Sequence, residues 1–538
     1  MDARGERTQA EASAPDAPTV WYWVALAVCL VILAAVMLVA VPGADTIYDE
    51  GGYLYEGWMV VAHGWRPYAD FHTKTLPLLY YLYGIGQAVF GPSVLVGRLE
   101  ATLFALLTLL MAARLAARLS SRWAAVIVVA LFAFNLHAAV AYYRALAMAP
   151  TACFFVLALY LAIADQPRPW RLYLAALAAT ALVLCRHDMI LVAVVIWLYL
   201  CWRHRSQRGH VIAAVAVGIA LLLAVCLRFY VLAPFKFVDV ILAGRFAVAQ
   251  MSAPYGEAVG ATPAAIAWHL MMFLRWHLAV LLLLTPAAGY LLWRAGGGLA
   301  DARLMLARHS GIALLLGAVA VNYLAHLFGS SLFGLNVFYL LDFYIFFPLA
   351  AAAAAGFMLA LRAAGIPQAR AQLAALGIVA VLVPLLVSGL PDALSGRRPP
   401  HLQQVTVGAK TLKRLIPPEA TVFTLDDPHL FLVAGIELPP ELTHQLFLFA
   451  ADGDPGIIRA RHYYDRQMID EWLSGEADYA VIGDDLVEWL LHSGRYPGGE
   501  ALYDFISTRL EANYTLLETV PGSYLGPTRI YRFSPKHP

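Results

Sequence analysis

Trp21-Tyr-Trp-Val-Ala-Leu-Ala-Val-Cys-Leu-Val-Ile-Leu-Ala-Ala-Val-Met-Leu-Val-Ala-Val41 is an apolar run with no charged residue. It decides the class of fold. A helix of about 20 apolar residues spans the hydrocarbon core of a bilayer. The segment before it, Met1–Thr19, is polar and rich in Ala and Pro and reads as disordered. No small-residue cleavage site followed by a soluble mature sequence comes after it, so the run reads as a retained span and not as a signal peptide.

Outward from this run the pattern recurs. Of the 538 residues, 61% are hydrophobic and 14% charged, where a soluble domain carries about a quarter charged residues. Mean hydropathy is +0.68. Runs long enough to span lie near 21–41, 95–117, 123–140, 147–164, 171–186, 189–202, 211–232, 276–293, 311–328, 337–361 and 371–389, about eleven spans by the length criterion. The net charge of +1 gives no basis for a nucleic-acid partner. The five cysteines all fall in apolar segments and make neither a disulfide framework nor a C-x-x-C pair.

Basic residues fall on every second connection: Arg4 and Arg7; Arg114, Arg118 and Arg122; Arg168 and Arg171; Arg203, His204, Arg205 and Arg208; Arg294, Arg303 and Arg308; Arg362 and Arg370. Positive charge marks the cytoplasmic side. The expectation is therefore a multi-pass protein of the bacterial cytoplasmic membrane with residues 1–20 in the cytoplasm, a membrane domain over 21–390 and an extracytoplasmic part over 391–538. Two long outer loops, 45–91 and 233–275, belong to the membrane domain. The second is expected to carry a surface-lying amphipathic helix near Ile266–Arg275. In the last part, Ala420–Leu425, Tyr479–Gly483, Tyr514–Val520 and Thr528–Phe533 read as strands. Ile457–Leu473 and Leu486–His492 read as helical. The expected fold class is thus a polytopic α-helical membrane protein with interfacial helices in its first outer loop and a small C-terminal α/β domain.

The first outer loop carries the chemistry-bearing residues. It reads Asp45-Thr-Ile-Tyr-Asp-Glu-Gly-Gly-Tyr-Leu-Tyr-Glu56 and then Gly64-Trp-Arg-Pro-Tyr-Ala-Asp-Phe-His-Thr-Lys74. Asp49 and Glu50 directly follow a span and so lie at the membrane–water boundary. Glu50–Ala62 has helical spacing and is expected to lie flat on the outer surface. Leu76–Phe90, apolar and aromatic, is expected to be a second interfacial helix. One reading is a solvated loop with a helix N-cap at Asp49. The other is a binding cleft, since the acids sit among Tyr, Trp and Phe. A carboxylate can take a proton from an attacking hydroxyl, and a lysine or arginine can neutralise a departing phosphate.

The string Tyr48-Asp49-Glu50-Gly51, Gly64-Trp65-Arg66-Pro67-Tyr68-Ala69-Asp70-Phe71, Lys74 and Pro77-Leu78-Leu79-Tyr80-Tyr81, with Gly91-Pro92-Ser93 and Arg98 downstream, resembles the start of the C-type glycosyltransferases. The resemblance is to the bacterial group with the aminoarabinose–lipid A transferases and protein O-mannosyltransferase-like enzymes. It covers Tyr48 to Arg98. It implies a multispan fold and an enzyme, a hexosyl- or pentosyltransferase, that takes sugar from a polyprenyl-phosphate donor with inversion on the outer face. Asp49 matches the general base. Glu50 would support it, or the two would hold a divalent metal ion. Lys74 matches the residue that holds the lipid-linked phosphate. The second aspartate that relatives often have inside the fourth span is absent from Tyr142-Tyr143-Arg144-Ala145-Leu146.

Ionisable residues at membrane depth are functional candidates by default. Arg144 and Arg245 are candidates for the donor phosphate; Arg144 reads equally well as an arginine snorkelling to the interface. Tyr48, Tyr68, Asp70, His72, Tyr339 and Asp342 are candidates for substrate contacts. Asp342 has three readings: a replacement for the missing carboxylate, a residue that orients the acceptor, or the partner of an arginine such as Arg245 or Arg275. Arg186 and Asp188 read as a structural pair. The acceptor is a lipid, an envelope polysaccharide or a protein, and membrane lipids surround the spans. Two other classes stand beside this one. A transporter or flippase of lipid-linked glycans would show internal repeats or paired mid-bilayer polar sites, and no repeat is visible. A non-catalytic scaffold of an envelope assembly machine would use the C-terminal part for docking.

Overall fold

The computed structural model of the chain describes residues 20–43, 45–73, 75–164, 168–238, 277, 279–284, 309–333, 338–394, 401–443, 449, 455–460, 463–484, 487, 499–522 and 526–535. At Tyr48, Tyr339 and Asp342 it describes the backbone only. Lys74, Arg245, most of the loop 233–275 and most of the expected span 276–293 lie outside the described residues.

The helices follow in order: α1 Val20–Gly43, α2 Tyr48–Ala62, α3 Leu78–Phe90, α4 Val94–Leu119, α5 Arg122–Ala133, α6 Leu136–Tyr143, α7 Met148–Ala162, α8 Pro169–Cys185, α9 Ile190–Arg203, α10 Arg208–Leu232, α11 Pro234–Val238, α12 Ser310–Phe333, α13 Phe338–Ala363 and α14 Gln368–Leu394. Among the described residues, four helices are long and apolar enough to cross a membrane, and six further apolar helices of 10–17 residues accompany them. The apolar run 123–140 is two helices and not one. Asn135 interrupts it, and its side-chain oxygen accepts from the Ala138 N–H at 3.1 Å to cap α6. Alanine-rich faces let the helices approach closely. Ala175, Ala176, Ala178 and Ala179 on α8 and Ala350–Ala355 on α13 are all buried.

The chain then forms α15 His401–Leu415, β1 Val422–Leu425, α16 Pro428–Ala434, α17 Pro455–Ala460, α18 Arg466–Glu471, β2 Tyr479–Gly483, α19 Gly499–Asn513, β3 Tyr514–Pro521 and β4 Pro527–Phe533. The sheet order is β1-β2-β4-β3. β1 and β2 are parallel, and the other pairs are antiparallel. Successive residues of a strand face opposite sides. Here Val422, Val481 and Ile530 belong to the core shared with the membrane helices. Phe423, Leu425, Ala480 and Ile482 enter a second core with Ile469, Leu473 and Ile506. Both faces of the first two strands are covered, which is why their residues are all buried and mostly apolar, with Thr424 satisfied by a hydrogen bond to the Val481 carbonyl. The helical stretch expected over Ile457–Leu473 is split into α17 and α18.

The first outer loop departs from a surface-lying arrangement. Residues 51–60 of α2 are all buried, and the acids Glu50 and Glu56 are fully so. α2 packs on α3 and α4 and is covered by α16. Gly57 and Gly84 let α2 and α3 touch backbone to backbone. A Cβ on Gly57 would stand 2.8 Å from the Tyr80 carbonyl oxygen, and one on Gly84 would collide with the Gly57 carbonyl. α3 stops at Gly91, whose φ of +88° favours glycine.

Candidate active site

α2 begins directly after the first span, and its first turn holds Asp49 and Glu50. Their environments differ. Asp49 is half-buried, whereas Glu50 is wholly buried. Arg98 of α4 donates to Glu50 from Nε at 2.9 Å and from Nη2 at 2.8 Å. The Ala145 N–H adds a third donor to Oε1 at 2.9 Å. Arg98 also donates from Nη1 to the Val41 carbonyl at 2.9 Å and from Nη2 to the Asp45 carbonyl at 3.3 Å. One ion pair thus ties together the end of α1, the start of α2, α4 and the turn before α7. Tyr83 reinforces that turn by donating to the Leu146 carbonyl at 2.6 Å.

A second ionic pair covers the first. His429 of α16 places Nε2 3.7 Å from Glu50 Oε2, an ion-pair separation and not a hydrogen bond. Its Nδ1 bonds Asp427. Burial disfavours a charged ring, but the Asp427 carboxylate and then Glu50 outweigh it and push the His429 pKa up to about 9. For Glu50, burial favours the acid form. The charge of Arg98 and its hydrogen bonds, with the charge of His429, override it and hold the carboxyl well below the usual range.

Asp49 has a different neighbour. It raises the pKa of Tyr53, second only to burial, and Tyr53 is also within electrostatic reach of Arg186 and Tyr344. Arg186 forms the expected pair with Asp188 at 2.7 Å. Its guanidinium carbon also lies 5.5 Å from the centre of the Tyr344 ring. An acid, two tyrosines and a buried arginine therefore share one neighbourhood.

The remaining candidates have partners of their own. Tyr68 is fully buried, with an unusual positive φ of 67°. Its hydroxyl donates to the Thr75 carbonyl at 2.8 Å, and its ring packs on Phe229 and Phe237. Asp70 closes a turn with Arg66, accepting its guanidinium at 2.7 Å and its backbone N–H at 2.7 Å. His72 packs on Tyr463, ring centres 5.3 Å apart. Arg144 caps the end of α6 next to Ala145, which bonds Glu50. Lys236 of α11, absent from the sequence reading, donates to the Ala69 carbonyl at 3.2 Å. Burial lowers its pKa to about 8, against the pull of Glu441 and Asp70.

A divalent metal does not fit Glu50. Both its oxygens already accept from a guanidinium, and a histidinium stands beside them. A cation there would meet two positive charges in a low dielectric. Sequence reasoning also missed Arg98 as the partner of Glu50 and missed Asp427 and His429 altogether. A signal existed for the last two. Asp427-Pro428 comes one residue after the end of β1, and Asp before Pro is a helix start.

No family model and no curated protein matches the sequence. Solved structures do. ArnT from Cupriavidus metallidurans in the apo state is 13% identical with a TM-score of 0.57, over 95% of this chain and 97% of that chain. The same protein bound to undecaprenyl phosphate is 13% identical with a TM-score of 0.57, over 96% of this chain and 98% of that one. The Archaeoglobus fulgidus oligosaccharyltransferase in complex with Zn and sulfate is 15% identical with a TM-score of 0.48, over 91% of this chain and 71% of that one. The chain therefore has the fold of ArnT, the polytopic helical membrane fold of the C-type glycosyltransferases that the string from Tyr48 to Arg98 led one to expect.

Proposed function

We propose that the protein transfers a sugar, hexosyl or pentosyl, from a polyprenyl-phosphate donor to a hydroxyl of a cell-envelope lipid, polysaccharide or protein. The observation that carries this reading is the division between two adjacent carboxylates. Glu50 is sealed in an ion pair, while Asp49 is left half-buried beside Tyr53. The shared fold supports it, since ArnT has been solved bound to undecaprenyl phosphate. In this reading Asp49 takes the proton of the acceptor hydroxyl as its oxygen bonds the anomeric carbon with inversion. The bond from that carbon to the phosphate oxygen breaks, and the lipid phosphate leaves with the electron pair. Lys74, Arg144 and Arg245 hold the departing phosphate. Tyr48, Tyr68, Asp70, His72, Tyr339 and Asp342 are the proposed substrate residues.

The reaction is placed at the outer face of the bacterial cytoplasmic membrane, with the N-terminus inside and residues 391–538 outside. The packing of α16 on α2 supports putting the first outer loop and the C-terminal part on one face. The test is to purify Asp49→Asn and follow transfer from a labelled lipid-linked sugar. Loss of a general base costs about 10²- to 10⁴-fold. Turnover at the wild-type rate would remove Asp49 from that role.

A further inference from the structure

Arg98, Glu50, His429 and Asp427 form a line of alternating charge contributed by α4, α2 and α16. Each is at most 1% exposed. Withdrawing ions from water is costly, and apolar side chains of similar size often stabilise a contact as well or better. What a buried ionic array supplies is register. If one element slides, a charge is left uncompensated.

The mounting of the outer pair is rigid. Asp427 donates its N–H to Asp426 Oδ1 at 2.6 Å, and Asp426 in turn accepts from the hydroxyl of Thr528 on β4. The Asp426 N–H donates to the Thr424 hydroxyl at 3.0 Å, which donates to the Val481 carbonyl of β2 at 3.0 Å. Bonds to β2 and β4 thereby fix the end of β1 from which the pair projects. Asp427 accepts from both the backbone N–H of His429 and its ring, which turns Nε2 towards Glu50. The seat on α2 is equally close. A Cβ on Gly51 would stand 2.5 Å from Asp427 Oδ1 and 2.6 Å from His429 Nδ1.

We infer that Asp427 and His429 are positioning residues. Through Glu50 and Gly51 they set the rotation of α2 about its axis, and with it the direction of the neighbouring Asp49 carboxylate. The C-terminal part thus completes the site. The activity arm of the test rests on the glycosyl-transfer reading above; the geometry does not.

The test uses full-length protein carrying His429→Ala, His429→Gln, Asp427→Asn or Gly51→Ala, the last of which leaves every charge in place. A displacement of about 1 Å at a reacting group costs about 100-fold. Each variant is expected to lose turnover on that scale with the KM for donor unchanged. Because the effect passes through Asp49, His429→Ala should cost nothing further in an Asp49→Asn background. Unchanged kcat in the folded variants overturns the inference, as does an equal loss in both backgrounds. Absence of transfer by the wild type would reject the glycosyl-transfer reading instead. Hydrogen exchange then decides the inference: faster exchange over 48–56 in His429→Gln and Gly51→Ala supports it, and unchanged exchange overturns it.

Discussion

Arg98 donates from Nε and Nη2 to the two oxygens of Glu50, and neither side chain has any solvent exposure. Deleting one partner strands the other's charge in a dry site, at a cost of about 3–5 kcal/mol. Arg98→Ala and Glu50→Ala should each lower the midpoint of thermal unfolding in detergent. Glu50→Leu combined with Arg98→Met should lose less than the two single changes summed, because no charge is left behind. Full additivity would show that the pair is not coupled.

The same cluster gives stability a pH dependence. Glu50 is held below its unfolded pKa, so its contribution is present above about pH 4.3 and is lost as the pH falls below that. His429 is raised from about 6.5 to about 9, so its contribution is complete below pH 6.5 and is lost as the pH rises through 9. The groups that face it are Asp427, Glu50 and, behind Glu50, Arg98. Between pH 6 and 10 the wild type should lose stability relative to His429→Gln by an amount on the order of 3 kcal/mol. The comparison cancels the opposite slope from Lys236, whose lowered pKa makes stability rise above pH 8; a wild-type-minus-variant difference that does not change with pH would assign the effect elsewhere.

Tyr55 latches α2 to the C-terminal part. Its hydroxyl donates to the Ile436 carbonyl at 3.3 Å and accepts from the Leu438 N–H at 2.7 Å. Tyr55→Phe leaves that buried N–H without its acceptor, which costs about 1–3 kcal/mol. Limited proteolysis should then cut the 435–443 segment faster than in the wild type. Equal rates would mean the segment is held by its apolar contacts alone.

Gly84→Ala forces α3 away from the Gly57 carbonyl. Overpacking of this kind costs about 1–3 kcal/mol. The same substitution at Gly317, where a Cβ meets nothing within 4 Å, should be near neutral. Comparing the two unfolding midpoints checks this.

Much of this structure is legible in the linear sequence where the cause is local. The apolar runs announce the membrane helices. The four strands lie within two residues of where their composition puts them, because each is bounded by turn residues and covered on one face or both. The helical period of Glu50–Ala62 is equally plain. Its burial is not, because the cover comes from Pro428–Ala434 and from Ile436 and Leu438, nearly 400 residues away. An amphipathic helix reads as lying on a surface until its second partner is known. Asn135 escaped notice for the opposite reason, as one polar residue in an apolar run hardly alters hydropathy yet its side chain competes for the backbone. Of the two carboxylates, the pair was visible but their separate roles were not. Arg98, 48 residues on, distinguishes them, together with the Ala145 N–H and His429.

The latch between Tyr55 and Leu438 spans 383 residues of sequence. A ribosome at about 5–20 residues per second needs on the order of half a minute to cover that distance. Throughout that interval the nascent chain carries Glu50 and Gly51 without the His429 that covers them. A messenger truncated before codon 427 would therefore yield a chain in which Glu50 and Gly51 are never covered by Asp427 and His429. On the function proposed above, biosynthesis itself withholds competence until the final part has emerged and docked.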